Sequence, residues 1–274
     1  GFVGSAIARE AARRGLLVQC VTRGGDAPAH LRSEPWAASV TWLRGDALNP
    51  GTYAEHMRGA DAVITSVGRL PFPHLTRDVI VRDNGETNVA PARCAAEVGV
   101  DRLVVIGASV PRMIPGVGWG FSPSGGFHDA GYAAGKAMAE VHARDEFVGG
   151  DASRRRGAAV LKPGPISGTR VLGGGAEVPL WAALGPLATV MRALPLPDAV
   201  AQMTPVHVDN VARAAVAADV LEDAHVALLV ADEQEGHAEE FHRHRVARFG
   251  HIRGHRQPGP GAAKQGAVFL LEQG

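Results

Sequence analysis

The chain has 274 residues, of which 46% are hydrophobic and 20% charged, enough for one large α/β domain with a buried core. Its formal net charge of zero argues against nucleic-acid binding through an overall positive field. The two cysteines, Cys20 and Cys94, form neither a disulfide framework nor a metal-ligand motif. We therefore expect a reducing compartment, no bound metal and no nucleic-acid partner.

The first residues, GFVG, predict a phosphate-binding turn that leads into a helix. Gly1 and Gly4 have the spacing of the second and third glycines of a GxxGxxG turn. The second glycine of such a turn lets the backbone approach a pyrophosphate, and the third lets helix and strand pack closely. Gly1, Phe2, Val3 and Gly4 are therefore candidate cofactor contacts. The alternative is an ordinary helix start, because two glycines at this spacing are common.

Short β-branched runs then alternate with helical patterns, which is typical of βαβ units in a mostly parallel sheet. Strands are predicted at 16–23, 39–46, 61–68, 101–109 and 225–232, and a strand with its exit loop at 156–168. Helices are predicted at about 84–98, 132–147 and 205–221, the last one capped by Asp209 or Asn210 after a structural His207.

The chain divides into a domain at 1–232 and a tail at 233–274. Within the domain, the proline-punctuated segment 170–205 is predicted to form part of a small substrate lobe, with a lid at 179–197. The tail has no sustained hydrophobic period and is expected to be disordered. Metal binding by its histidines is the alternative, although they lack a tetrahedral ligand spacing.

Residues at the ends of the predicted strands are further candidates for cofactor contacts. Arg23 follows the first strand, where an acid would bind the ribose of NAD and a guanidinium suits the 2′-phosphate of NADP. Asp46, followed by Ala47, ends the next strand and could accept a hydrogen bond from the adenine amino group. The alternatives are a solvated loop arginine and a turn-capping aspartate.

Two small-residue stretches extend this set of candidates. Ser66, Val67 and Gly68 end a strand with residues small enough for a cofactor to lie across the strand ends. The stretch KPGPISG at 162–168 is rigid and suited to hold a nicotinamide, through Pro163, Gly164 and Ile166. A plain connecting turn is the alternative for this second stretch.

The strongest single signal is GYAAGKAMAE, in which Tyr132 and Lys136 lie four residues apart on a predicted helix and share one face. A tyrosine exchanges a proton near neutrality only if its pKa is lowered, and a neighbouring ammonium has that effect. The pair therefore predicts a proton-transfer site, in which Lys136 also binds the cofactor. The alternative is a surface pair with no chemistry.

Together these motifs resemble the short-chain dehydrogenase/reductase superfamily over about residues 1–232. The stretches SVTWLRGDALNPGTY, DAVITSVG, KPGPISGTR and PVHVDNVARAA resemble its atypical branch, which includes a yeast coenzyme Q biosynthesis protein and plant organelle relatives. The resemblance implies a doubly wound Rossmann-type α/β fold with strand order 3-2-1-4-5-6. The first strand of that order should precede Gly1, so we expect it to be missing and interpret the chain as a fragment or a misread gene start.

The resemblance also implies the chemistry. Tyr132 and Lys136 match the catalytic pair of the superfamily, whereas Ala108 occupies the place of the expected serine and Ser109 follows one residue later. We expect an NADP-linked oxidoreductase or isomerase, with NAD as the alternative cofactor, acting on a small or isoprenoid-quinone-like carbonyl compound. The alternative is a non-catalytic NADP(H)-binding accessory protein, peripherally associated with an organelle membrane complex. The expected location is the mitochondrion, or alternatively the plastid.

Overall fold

The structure is a computed structural model that describes residues 1–71, 74–109, 131–150, 156–171, 177–180, 206–219, 227–229 and 267–271. The α-helices are α1 (Phe2–Arg13), α2 (Ala54–Met57), α3 (Arg77–Asn84), α4 (Glu86–Val98), α5 (Tyr132–Val141) and α6 (Val208–Asp219). A π-helix, His142–Val148, continues α5. The strands are β1 (Leu17–Thr22), β2 (Val40–Arg44), β3 (Ala62–Thr65), β4 (Arg102–Ile106), β5 (Gly157–Leu161), β6 (Ile166–Val171), β7 (Glu177–Leu180), β8 (Val206–His207), β9 (Ala227–Leu229) and β10 (Ala267–Leu271).

The main sheet has seven strands in the order β2-β1-β10-β3-β4-β5-β9, and every neighbouring pair is parallel. A separate sheet of three strands has the order β7-β6-β8. Parallel strands bury both faces, which explains the continuous apolar runs AVI in β3 and LVVI in β4. The predicted doubly wound α/β fold is confirmed.

Each face of the main sheet is covered by its own helical layer. Helices α1 and α6 pack on one face, where Ile7 and Val211 are fully buried in a cluster with Cys20 of β1. Helices α4 and α5 pack on the other face, where Ala95 and Phe147 belong to a second buried cluster. Alternate residues of each strand therefore contribute to different cores, as the period of a strand requires.

Three predicted elements differ from the structure in detail. The helix predicted at about 84–98 is α4, and a separate helix that was not predicted, α3, ends one residue before Gly85. Thr76 caps α3 by accepting a hydrogen bond from the backbone nitrogen of Val79. The segment 166–168, predicted as exit loop, is the start of β6. Neither Asp209 nor Asn210 caps α6, which begins at Val208; the ring Nδ1 of His207 accepts from the Asp209 nitrogen instead.

An internal strand of the main sheet also differs from the prediction. The resemblance implied a missing first strand, whose place in the expected order is between the strands now labelled β1 and β3. Residues Ala267–Leu271 occupy that position and pair with both neighbours, so this part of the tail is a strand. Residues 181–197 of the lid predicted at 179–197, and the tail histidines, lie outside the described residues.

Within the described residues, no helix combines the length and the apolar composition that a membrane span requires. The same residues contain no group of three or more His, Cys, Asp or Glu side chains that could hold a metal ion.

Candidate functional site

The sequence-predicted residues converge on one edge of the main sheet. Because all its strands are parallel, their carboxyl ends share an edge. Arg23, Asp46, Ser66, Ser109 and Pro163 each follow one of the strands β1 to β5. Helix α1 ends just before β1 begins, so its first turn, Gly1 to Gly4, lies at the same edge.

The start of α1 is suited to bind an anion. Gly1 is its N-cap and provides no side-chain cap, and the first turn contains no acidic residue. The positive end of the helix dipole and its backbone N–H groups therefore suit a phosphate. Gly4 is buried, in agreement with close helix–strand packing, and Phe2 packs beside Gly168 of β6, where an added β-carbon would lie 3.1 Å from the Phe2 ring.

Arg23 is exposed in a tight turn at the end of β1. The nitrogen of Gly25 donates to the Thr22 carbonyl at 3.3 Å and to its hydroxyl at 3.0 Å, which holds this turn at the sheet edge. Arg44, at the end of β2, pairs with Thr22 and is also exposed. Sequence reasoning missed Arg44, although its place at the end of a predicted strand was the available signal.

Asp46 stabilises the turn that follows β2. Its Oδ1 accepts from the Leu48 nitrogen at 3.0 Å, which caps a turn after β2. Ala47 is buried, and its carbonyl accepts from the Tyr53 hydroxyl at 3.0 Å. These contacts support the turn-capping interpretation of Asp46, which is exposed.

Lys136 is the most constrained residue of the site. Only 7% of it is exposed, and its Nζ donates to the carbonyls of Val67 and Ile106, each at 3.0 Å. Burial lowers the pKa of this ammonium to about 8. An ammonium has three N–H donors, so one is left without an acceptor among the described residues. That donor is available to a ligand at the ends of β3 and β4.

Two asparagines that sequence reasoning missed hold the loop after β3. Asn88 Nδ2 donates to the Val67 carbonyl at 3.0 Å, beside Lys136, and its buried Oδ1 has no hydrogen-bond partner among the described residues. Asn84 exchanges two hydrogen bonds with the backbone of Arg69, at 2.9 and 3.1 Å. The available signal was two amides four residues apart in a helical stretch.

Gly68 makes room for this arrangement. A β-carbon at position 68 would lie 2.9 Å from Asn84 Oδ1 and 3.0 Å from Lys136 Nζ, so only glycine lets both groups approach the loop. Ser66 is partly buried and Val67 is fully buried, with its side chain in the core. Of the predicted stretch, Val67 therefore acts through its backbone.

Tyr132 is the first residue of α5, directly after Gly131, whose φ of 88° is left-handed. A β-carbon at position 131 would lie 2.9 Å from the Arg77 carbonyl, so this turn requires glycine. Burial raises the pKa of Tyr132 to about 12, and Lys136 does not contribute to this shift. The predicted lowering of the tyrosine pKa by Lys136 is thus wrong for this structure, and the phenol is protonated at neutral pH.

Ser109 is exposed, and its nitrogen donates to the Pro163 carbonyl at 2.8 Å. This bond ties the end of β4 to the loop after β5. Lys162 fixes the same loop to α5 through an ion pair with Glu140 at 3.0 Å. Past Gly164, the Val206 nitrogen donates to Pro165 and Ile166 pairs with Val206, so the loop passes from the main sheet into the smaller one.

Known proteins show the same fold and family. A family model described as NAD(P)H-binding matches residues 1–147. An uncharacterised chloroplastic protein of Arabidopsis thaliana is 30% identical over 226 residues, which cover 79% of this chain and 67% of that protein. MIOREX complex component 2 of Saccharomyces cerevisiae is 36% identical over 72 residues, 26% of each chain.

Solved structures agree at the level of fold. UDP-glucose 4-epimerase from Bifidobacterium longum, in complex with NAD+ and UDP, has a TM-score of 0.59 at 18% identity, over 84% of this chain and 75% of that one. The Bordetella bronchiseptica enzyme WbmG in complex with NAD has a TM-score of 0.55 at 14% identity, over 98% and 82%. From the family match and the relatives, the chain belongs to the NAD(P)H-binding family.

Proposed function

We propose that this protein is an NADP-linked oxidoreductase or isomerase that acts on a small or lipid-like carbonyl compound. The observation that carries the proposal is the place of Lys136, buried at the carboxyl ends of β3 and β4 on the same helix as Tyr132. A buried ammonium is costly unless it is hydrogen-bonded, so a lysine held there is more than a solvated surface charge.

The described residues fit a dinucleotide. The first turn of α1, which has no side-chain cap, suits its pyrophosphate, and the exposed Arg23, with Arg44 nearby, suits a 2′-phosphate. The third N–H of Lys136 and the cleared space at Gly68 suit the ribose at the nicotinamide end. When bound, a nicotinamide cofactor supplies or accepts a hydride.

The protein's own residues then supply one chemical step, the transfer of a proton from the Tyr132 hydroxyl. The Tyr132 hydroxyl is protonated at neutral pH and is the proposed donor of a proton to a carbonyl oxygen of the substrate. Burial raises its pKa to about 12, so this role requires the bound cofactor and substrate to lower that pKa. Lys136, tethered by two backbone carbonyls, provides a positive charge below about pH 8.

Turnover of NADPH with a panel of quinone-like and small carbonyl compounds tests this proposal. Tyr132→Phe should abolish turnover with the best compound while leaving NADPH affinity nearly unchanged, because only the proton donor is lost. Tyr53→Phe is the matched control, since that tyrosine is buried and its hydroxyl donates to the Ala47 carbonyl in the loop after β2. Full activity of the Tyr132→Phe variant would remove this residue from the mechanism.

A second function is favoured by a specific observation. The expected serine is replaced by Ala108, and the backbone of Ser109 is engaged with Pro163. A non-catalytic NADP(H)-binding accessory or assembly factor needs no such hydroxyl. The name of the yeast relative places that protein in a complex, which supports this alternative. Tight NADPH binding without turnover of any carbonyl in the panel would favour it.

We also propose an organelle location, mitochondrion or plastid, with a link to ubiquinone biosynthesis as the working substrate class. The chloroplastic relative supports an organelle, and the resemblance to a coenzyme Q biosynthesis protein supports the quinone link. Fractionation of cells that produce the full-length protein, followed by measurement of quinone precursors after its deletion, tests both. A purely cytosolic protein with an unchanged precursor pool would contradict them.

A further inference from the structure

Strand β10 is an internal strand of the main sheet, between β1 and β3, although it comes from the end of the chain. Leu17 to Val21 of β1 pair with Ala267 to Leu271, and Ala62 to Thr65 of β3 pair with Val268 to Leu271. Without β10, β1 and β3 would be separated by two strand spacings, roughly 10 Å, with no ladder between them. Among the described strands, β1 and β2 are therefore joined to β3, β4, β5 and β9 only through Ala267–Leu271.

The same strand ends at the cofactor-binding edge, by which we mean the carboxyl ends of the parallel strands, where the cofactor is proposed to bind. Leu271 pairs with Val21 on one side and with Thr65 on the other. The residues that follow these partners include Arg23 on one side and the Ser66–Gly68 loop on the other. The carboxyl end of β10 thus lies between two segments proposed to contact the cofactor, and α1 packs against β10 as well.

We propose that Ala267–Leu271 is a strand inserted in cis that completes the cofactor-binding edge, so that strand insertion and cofactor binding stabilise each other. The coupling between strand insertion and cofactor binding rests on the proposed function. The insertion itself rests only on the pairing of β10 with β1 and β3. A ligand that binds only the assembled edge stabilises the inserted state by mass action. The slot between β1 and β3 is then an acceptor for one defined segment of this chain.

A cross-link tests the insertion. Position 270 is registered with Cys20, a buried free cysteine, and adjacent strands are roughly 4.8 Å apart, within the Cα separation of disulfides. In a Cys94→Ala background, Leu270→Cys should therefore form an intramolecular disulfide with Cys20 on mild oxidation. Leu271→Cys is the matched control, because position 271 is registered with Val21, on the opposite face of the sheet.

Peptide mapping and gel mobility identify the product. A disulfide within one chain at position 270, formed at least tenfold faster than at position 271, is the expected result. Equal rates at both positions, or no disulfide at either, would overturn the insertion. A disulfide that links two chains would show that a second copy supplies the strand, which would overturn insertion in cis.

Hydrogen exchange tests the coupling on the unmodified chain. Saturating NADPH should slow amide exchange in the peptide that spans 267–271 at least tenfold. Saturable NADPH binding with unchanged exchange in this peptide would overturn the coupling while leaving the proposed function intact. If the Leu270→Cys variant forms its disulfide with Cys20 but the unmodified chain does not bind NADPH, the proposed function is contradicted, and the coupling with it.

Discussion

At the scale of single residues, Lys136 shows what a sequence can predict and what it cannot. The spacing of Tyr132 and Lys136 was enough to place both on one helix face. The partners of the ammonium, the carbonyls of Val67 and Ile106, lie 69 and 30 residues away in the chain. Such non-local backbone acceptors leave no local pattern, and the effect of burial on both pKa values follows only from the packed structure.

The pKa of Lys136 predicts how stability changes with pH. Its folded value, about 8, is below the ordinary value of 10.5, so the unfolded chain binds more protons between these limits. The free energy of unfolding should therefore rise from about pH 8 to pH 10.5, with an upper limit on the order of 3 kcal/mol from this residue. Below pH 8 the desolvation cost of the charged lysine is present in full.

Lys136→Met isolates this contribution, because other groups titrate equally in both proteins. Urea unfolding across this pH window should show a smaller rise for the variant than for the natural chain. Lys162→Met is the matched control, since Lys162 is partly exposed and pairs with Glu140. Identical slopes in the natural chain and the Lys136→Met variant would contradict the burial of a charged ammonium at this site.

At the scale of elements, the position of the site depends on the close approach of α5 to α3. A β-carbon at position 135 would lie 2.8 Å from both the Asn84 β-carbon and the Val81 carbonyl. The sequence predicted α5 from its period and its Tyr–Lys pair. It did not predict α3, because that helix is short, has polar residues at five of its eight positions and ends at Gly85.

Gly135→Ala should push α5 away from α3 and displace Lys136. We expect a loss of about 1–3 kcal/mol in the free energy of unfolding, typical of overpacking a tight contact. Gly24→Ala is the matched control, because nothing lies within 4 Å of a β-carbon there. Denaturant unfolding of both variants measures the difference, and equal effects would show that α5 has room to move.

Helix α1 has a stabilising charge cluster of its own. Glu10 accepts from Arg13 at 2.8 and 2.9 Å and from Arg14 at 2.7 Å, and the Arg13 hydrogen bond above all lowers its pKa to about 2. A lowered carboxyl pKa stabilises the fold above about pH 4.5, and this stability is lost as the pH falls towards 2.

Glu10→Gln should therefore cost about 1 kcal/mol at neutral pH, a value reduced for the exposure of the arginines, and the difference should shrink on acidification. Glu55→Gln is the matched control, because the Glu55–Arg58 pair is exposed and should leave stability unchanged. Thermal unfolding at neutral and acid pH measures both. A Glu10→Gln deficit that persists at about pH 2 would exclude the charge as its cause.

At the scale of the whole molecule, the alternation of strands and helices predicted the parallel sheet, and the resemblance to a known superfamily implied a missing strand beside β1. The occupant of that position could not be predicted. The stretch AVFLL is only five residues long and lies in a tail rich in glycine, proline and histidine. What selects it is the pair of unmatched strand edges on β1 and β3, which are formed by residues far earlier in the chain.

The order of strands also explains why residues from distant segments meet at one edge. Arg23 and the Ser66–Gly68 loop are far apart in sequence, yet each follows a strand of a parallel sheet, so both lie where the strands end. Lys136 reaches the same place from α5, through its hydrogen bonds to Val67 and Ile106. The place of Arg23 at the end of β1 was predictable, because it directly follows a strand that the sequence pattern indicated. The roles of Asn84 and Asn88 were not predictable, because their task depends on the backbone of a loop formed elsewhere in the chain.

Calorimetric titration of the unmodified protein with NADPH and with NADH tests the central claim most directly. A guanidinium–phosphate contact at Arg23 predicts an affinity for NADPH that is about tenfold to a hundredfold higher, from the usual strength of charged hydrogen bonds. Arg23→Ala should reduce that preference while leaving NADH affinity nearly unchanged. Equal affinities for the two cofactors, tighter binding of NADH, or no saturable binding of either would contradict the account.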